Sequence, residues 1–331
     1  MKKRYHRSSS YIPTNVELKY IQKITNETKT KNKDNITRTK AYLQFYQENP
    51  DIIWAFLASM VSRNGGYNMC DLEGEWFPKI LDEQTRSLLF MTFERANWLI
   101  FHDAFPQMLL YYYSTKLRRP MFHLLRYLHV SAFMEAEWNY YWQHRNKKRL
   151  LVSLIINEQN VIQTPIIEHP LYKKRVFHSF FFSIQDWLHF SIVTFPTCAG
   201  ELYGASVNGF RVIDKRIDLG KRLSDILFDP NLFPQFLEFA IKTEHTGSRY
   251  DYEQYFQEKR KRNTPFIRNT FPVISHHVSQ YEDWSEKRAI KRSWYTECKH
   301  KHPIHLTNWY KQKQKQLHAF ISLGELTLDE I

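Results

Sequence analysis

Residues 150–163 read Leu-Leu-Val-Ser-Leu-Ile-Ile-Asn-Glu-Gln-Asn-Val-Ile-Gln. Placed at 100° per residue, Leu151, Leu154, Ile155 and Ile162 form one apolar arc, and Ser153, Asn157 and Asn160 fall opposite it. That is the period of a helix, and it recurs at helical lengths along most of the chain. The patterning predicts helices over 37–48, 51–63, 82–104, 106–117, 120–145, 149–163, 171–192, 214–228 and 232–244. Pro106, Pro120, Pro165 and Pro170 stand at the joints, where a missing N–H and a fixed φ stop or start a helix. Strand-like alternation is scarce, with one weak candidate at 201–213 around Gly204 and Gly209. The expected fold is mostly α: a multi-helix bundle with a basic N-terminal arm and a partly irregular C-terminal extension.

Outward from the helices, Asn64-Gly65-Gly66-Tyr67-Asn68-Met69-Cys70-Asp71 reads as a polar loop. The stretch up to Asn35 is rich in Lys, Thr and Asn, and reads as a mobile arm with a short helix near 16–24. The chain then divides into a basic flexible arm (1–36), a helical core (37–255) and a basic aromatic extension (256–331). A hydrophobic share of 43% over 331 residues fills a sizeable core and excludes a disordered or collagen-like chain. Nine glycines weigh against Rossmann fingers, phosphate loops and glycine-punctuated barrels.

The net charge is +13, unevenly spread: +7 over 1–50, +2 over 51–250 and +4 over 251–331. Basic runs such as Lys147-Lys148-Arg149 and Lys259-Arg260-Lys261-Arg262 either pair with phosphates or form solvated helix faces. Cys70, Cys198 and Cys298 lie far apart, which fits a reducing compartment. No apolar segment follows the basic N-terminus as a secretory signal would require. The most apolar stretch, 176–200, contains Asp186, His178, His189 and Pro196, so it reads as a core helix and loop rather than a membrane span. The sequence therefore leads us to expect a cytoplasmic protein that does not enter a membrane.

Polar residues on apolar faces carry the functional signal. Glu158 sits in the middle of the 150–163 arc, and an ionised carboxylate there needs a partner or a raised pKa. The segment 86–105 is apolar on every side yet carries Glu94, Arg95, Asn97, His102 and Asp103. Glu135 falls among Leu124, Leu128 and Trp142, and Asp186 and His189 share a helix face at i, i+3. One reading is a buried network neutralised by Arg95 and Arg126. The other is a pocket between helices, with Glu94, Glu158, His102 and Arg95 in acid–base roles and Glu135, Asp186 and His189 as metal ligands. A carboxylate-bridged di-metal centre does not fit, because it uses Glu-x-x-His pairs. Here Glu297 with His300 is the one such pair, and it lies in the tail.

Other patterns point elsewhere. In His245-Thr246-Gly247-Ser248-Arg249-Tyr250-Asp251, Gly247 suits a left-handed helix end and Ser248 a cap on the next helix. With Arg249 and His245 alongside, His245, Ser248 and Arg249 also form a candidate anion or cofactor site, with no cofactor identified. Cys298-Lys299-His300-Lys301-His302-Pro303-Ile304-His305 holds metal-ligand types but in no closed zinc spacing. Trp284, Trp294, Tyr295 and Trp309 interleave with basic residues, which suits either stacking on single-stranded nucleic acid or docking of the tail. Gly204 to Gly209 misses the nucleophile-elbow spacing by one residue. His102-Asp103 lacks the upstream histidine that a phosphohydrolase metal dyad requires.

Asn64 to Met69, the run from Glu94 through Ala96-Asn97-Trp98 to Ala104-Phe105-Pro106-Gln107, Asn157-Glu158-Gln159, and His245 to Tyr252 together resemble a family of uncharacterised proteins from Bacillus and related Firmicutes, described as a domain of unknown function. The resemblance covers about residues 40–255 and implies a cytoplasmic bacterial protein, with no activity or site residue attached. The sequence thus leaves three expectations. The first is binding of an anionic partner, nucleic acid among the candidates, through the flanks and the Arg249 region. The second is an enzyme or a metal- or ligand-binding protein with a buried carboxylate–histidine pocket. The third is a structural adaptor.

Overall fold

A computed structural model describes residues 4–5, 11–170, 192–206, 209–278, 280–297 and 305–328. Helix α1 (Asn15–Lys31) opens with a capping box, in which Thr14 accepts from the Glu17 N–H and Glu17 reaches back to the Thr14 N–H. It lies along α4 with Ile24 buried and Tyr20 against Tyr113. The segment read as a mobile arm is therefore packed helix from Asn15 onward. The few large apolar residues misled, because Tyr20, Ile21 and Ile24 suffice to pack the helix on the core, and Glu17 is buried with hydrogen bonds from Tyr11, Thr14 and His123.

Asp34 caps α2 (Asn35–Glu48), which packs against α3 (Trp54–Asp71). The expected polar loop at 64–71 is in fact the second half of α3. Its polar residues hold other parts of the chain from inside the protein. Asn64 donates to the Ile192 carbonyl at 3.2 Å and accepts from the Thr194 N–H at 3.0 Å. Arg63 donates to the Ala240 and Thr243 carbonyls. A Cβ on Gly66 would lie 2.5 Å from Asn35 Oδ1 and 2.8 Å from His245, so this glycine serves close approach within a helix, not a turn.

Asp82 caps α4 (Glu83–Lys116), a single helix of 34 residues that continues through Pro106. The expected break at Pro106 does not occur. Proline lacks the N–H that would bond the His102 carbonyl, but Phe101, Ala104, Phe105 and Met108 are buried on both sides of it, and that packing holds the helix together. The stretch 120–145 is not one helix. A 3-10 turn at Phe122–Leu128 ends at His129 in the left-handed region (φ 61°), and Ser131 then caps α5 (Ala132–His144).

Helix α6 (Lys147–Val161) is buried nearly all round: Ser153, Asn157 and Asn160, expected on a solvent face, are inside. Lys147–Ile167 is apolar enough by composition to cross a membrane, but 72% of its most apolar window is buried within the protein. The antiparallel hairpin β1 (Ile192–Pro196) and β2 (Leu202–Ser206) falls within the weak strand signal and just before it. Helices α7 (Ile213–Leu227) and α8 (Phe233–Lys242) complete the bundle.

The C-terminal segment is a strap across this bundle, with little regular structure before α9 (Thr307–Leu328). Asp283 and Ser285 accept from the Ala132 and Phe133 N–H groups at the start of α5. Trp284 and Trp294 donate to Asn157 and Asp214, and Tyr310 donates to Glu253 at 2.7 Å. The aromatic residues of the tail dock it onto the helices.

Candidate functional site

A cleft of about 460 Å³ opens where α4, the turn at 129–131, the end of α6 and the strap meet. Helix α4 supplies Arg95, Leu99, His102 and Asp103 at i, i+4, i+7 and i+8, which is one helical face. His102 stacks on Trp98 with ring centroids 4.7 Å apart, and its Nε2 lies 2.8 Å from the Tyr281 hydroxyl. Tyr281 in turn stacks on His129 at 3.7 Å. The left-handed backbone at His129 turns that ring towards the strap. Burial, with His129 and Arg95 as neighbours, holds the His102 imidazole down at about 4, so it is neutral near pH 7.

Asp103 is the opposite case. Burial pushes its carboxyl up to about 7, and the Asp283 carboxylate adds to this, against hydrogen bonds from Asn157 and Gln107. The cleft thus pairs a neutral imidazole with a carboxyl that titrates near neutrality. Asn160 adds a directional group: it is 2% exposed, lines the cleft, and its Oδ1 has no hydrogen-bond partner among the described residues. Arg95 donates to the His277 carbonyl at 2.7 Å, tying α4 to the strap. Lys287 and Arg288 stand at the cleft too, with Glu282 and Glu168 as their ion partners.

The residues singled out from sequence do not converge on one centre. Arg95 and His102 line the cleft; Glu94, Glu135 and Glu158 do not. Glu94 is buried one position away, paired with Arg38. Glu135 pairs with Arg126 at 3.4 Å. Glu158 accepts from Trp54 and Gln159, and burial raises its carboxyl to about 7. Asp186 and His189 lie outside the described residues, as does the 298–305 tract apart from His305. Among the described residues no group of His, Cys, Asp and Glu is arranged to hold a metal ion.

The proposed anion site at 245–251 is also different from expectation. Gly247 does take the left-handed conformation (φ 85°), but the polar groups are spent inside the protein. Arg249 Nε lies 2.7 and 2.6 Å from the two Asp71 oxygens, and Nη1 donates to Tyr252. His245 lies between Asn35 and Asp251, with burial lowering it to about 4. Ser248 donates to Thr264 and accepts from Tyr250. These residues form a buried brace, and Arg249 is neutralised by Asp71.

Sequence reasoning missed Asp103 as a site residue, along with Asn160, His129 and Tyr281. The i, i+4 spacings Trp98/His102 and Asp103/Gln107 were available signals. The strap residue Tyr281 had none, because its position depends on a chain reversal of more than 170 residues from His102.

In comparisons with known proteins, no solved structure matches the chain. The uncharacterised protein YppC of Bacillus subtilis (strain 168) is 45% identical over 308 residues, covering 93% of this chain and 96% of the relative. The family model described as a protein of unknown function, DUF2515, matches residues 30–311, which take in α2 to α8, the strap up to the start of α9 and the complete cleft. The chain belongs to the DUF2515 family.

Proposed function

We propose that the cleft binds a small anionic organic molecule and exchanges a proton with it through Asp103, in a cytoplasmic protein. The observation that carries this reading is the convergence of Asp103, Arg95, His102 and Asn160 on one cleft, where burial pushes the Asp103 carboxyl up to about 7. A group titrating near the working pH serves equally well as proton donor or acceptor. Arg95, Lys287 and Arg288 against Glu282 and Asp103 leave the lining a small surplus of positive charge, larger when Asp103 is protonated, which favours an anion. Asn160 Oδ1 offers an acceptor to a hydroxyl or amino group on the same molecule. Among the described residues Cys70 and Cys198 form no disulfide, which fits a reducing compartment.

Native mass spectrometry of the protein purified without a tag tests the proposal. We expect a copurified anionic species below about 1 kDa, the size a cleft of this class encloses, lost in Asp103→Asn or Arg95→Ala. A protein that carries no such species and binds none from a cell extract would refute it. Copurifying nucleic acid would instead favour an extended anionic partner held by the flanks. Several flank and run charges already have partners, among them Lys147 with Asp51, Lys148 with Glu297 and Arg260 with Glu253.

A further inference from the structure

Glu94 and Arg95 are neighbours on α4, but only Arg95 lines the cleft. Glu94 lines a second cavity of about 370 Å³ between α4, the start of α2 and residues 267–274 of the strap. Phe90 and Phe271, stacked at 3.9 Å, form an apolar wall with Ile267 and Ile274. The polar end of the cavity is incompletely satisfied. Glu94 Oε2 pairs with the Arg38 guanidinium, while Oε1, with the residue 4% exposed, has no hydrogen-bond partner among the described residues. His276 does not itself line the cavity, but its Nε2 lies 3.8 Å from that oxygen, too far for a direct bond, and has no hydrogen-bond partner among the described residues. Arg38 Nε, also buried, is likewise without a partner among the described residues.

We propose that this cavity is a binding site for a small neutral molecule with an apolar body and a hydroxyl or carboxamide head, the head bridging Glu94 Oε1 and His276 Nε2. Buried polar atoms left unpaired are costly, so a partner that satisfies them is strongly favoured. A carboxylate oxygen only accepts, so the head must donate; the imidazole nitrogen takes either role, so a head that also accepts fits both tautomers. One oxygen or nitrogen at ordinary hydrogen-bond length from both atoms spans the 3.8 Å gap. The head is neutral where it meets Glu94, because Arg38 already balances that carboxylate; of the other charges lining the cavity, Arg268 is paired with Asp34 and Lys33 is exposed. The volume far exceeds the ~30 Å³ of one water, and the aromatic wall gives the remaining space an apolar occupant.

Isothermal titration calorimetry of the full-length protein with 1-hexanol, hexanamide, hexanoate and n-hexylammonium tests this. The alcohol and the amide should bind at one site, with the two charged probes about tenfold weaker or more. Val273 lines the cavity mouth and is 64% exposed, so Val273→Trp should block it and weaken alcohol binding about tenfold without altering the fold. His276→Ala should weaken the alcohol by a similar factor. No saturable binding of either neutral probe would overturn the proposal and leave a water-filled cavity. Equal binding of hexanoate or hexylammonium would overturn it too, as would full binding by a folded Val273→Trp protein. Selectivity among the four probes on the unmodified protein decides the matter even if a variant folds poorly.

Discussion

Asp103 and His102 are adjacent and have opposite linkage to folding. An unfolded aspartate titrates near 3.9 and an unfolded histidine near 6.5. Asp103 titrates at about 7 in the folded protein, so between about pH 4 and 7 the folded state holds the extra proton and this group's contribution to stability falls as pH rises. His102 is held at about 4, so between about 4 and 6.5 the unfolded state holds the extra proton and its contribution rises with pH. Glu158 at about 7 acts with Asp103, and His245 at about 4 acts with His102. The pairs oppose each other across the same window, which flattens the stability of the unmodified protein. Single variants should uncover the separate slopes. Asp103→Asn keeps the oxygen that accepts from Gln107 and Asn157 and removes the titration. Urea denaturation should find it equal to the parent near pH 4 and more stable by ~2–4 kcal/mol near pH 8. A difference independent of pH would show that Asp103 titrates at its ordinary value. Glu158→Gln should show the same slope with a smaller gain, because its one remaining oxygen can accept from Trp54 or from Gln159 but not from both.

At the scale of elements, α3 shows what was legible and what was not. Most helices announced themselves, because an apolar repeat of helical length needs only the residues of one segment. The second half of α3 carried Asn-Gly-Gly, and those residues favour turns when nothing else acts on them. Here the tertiary structure acts. Asn64 and Asn68 bond to β1 and Arg249, and Gly66 lets α2 and His245 approach. The helical wheel of α6 erred for the same reason: it assumed a solvent face, whereas Asn157 and Asn160 face the strap and the cleft. The polar signals were real, but their partners lie more than 100 residues away and have no local pattern. Gly65 and Gly66 allow a test within one helix. Gly66→Ala drives a Cβ to 2.5 Å from Asn35 and should destabilise by ~1–3 kcal/mol. Gly65→Ala meets the Asn97 amide at 3.2 Å, a contact that a small side-chain movement relieves, and gains up to ~1 kcal/mol of helix propensity. Equal destabilisation by both, measured in urea, would mean that α3 and α2 do not approach as described.

For the whole molecule, the question is whether the bundle stands without the strap. Residues 256–331 supply Ile267, Ile290, Trp294, Tyr310 and Leu317 as buried side chains, with Trp284 half-buried. Burying side chains of this size is worth ~1.5–3 kcal/mol each. Together they match the whole net stability of a typical domain, ~5–15 kcal/mol. The strap also satisfies the start of α5 through Asp283 and Ser285, where free N–H groups would otherwise face apolar surface. Arg95 and His102 lose their strap partners when it is removed, so the cleft wall goes with it. We therefore expect a fragment ending at residue 255 to lose cooperative unfolding and near-ultraviolet circular dichroism, and to bind a hydrophobic dye. Adding residues 256–331 as a separate peptide should restore a cooperative transition, since the lost contacts are noncovalent. A 1–255 fragment that melts cooperatively within a few degrees of the full chain would instead make the bundle self-sufficient, leaving the strap as a cover over a cleft the helices build alone.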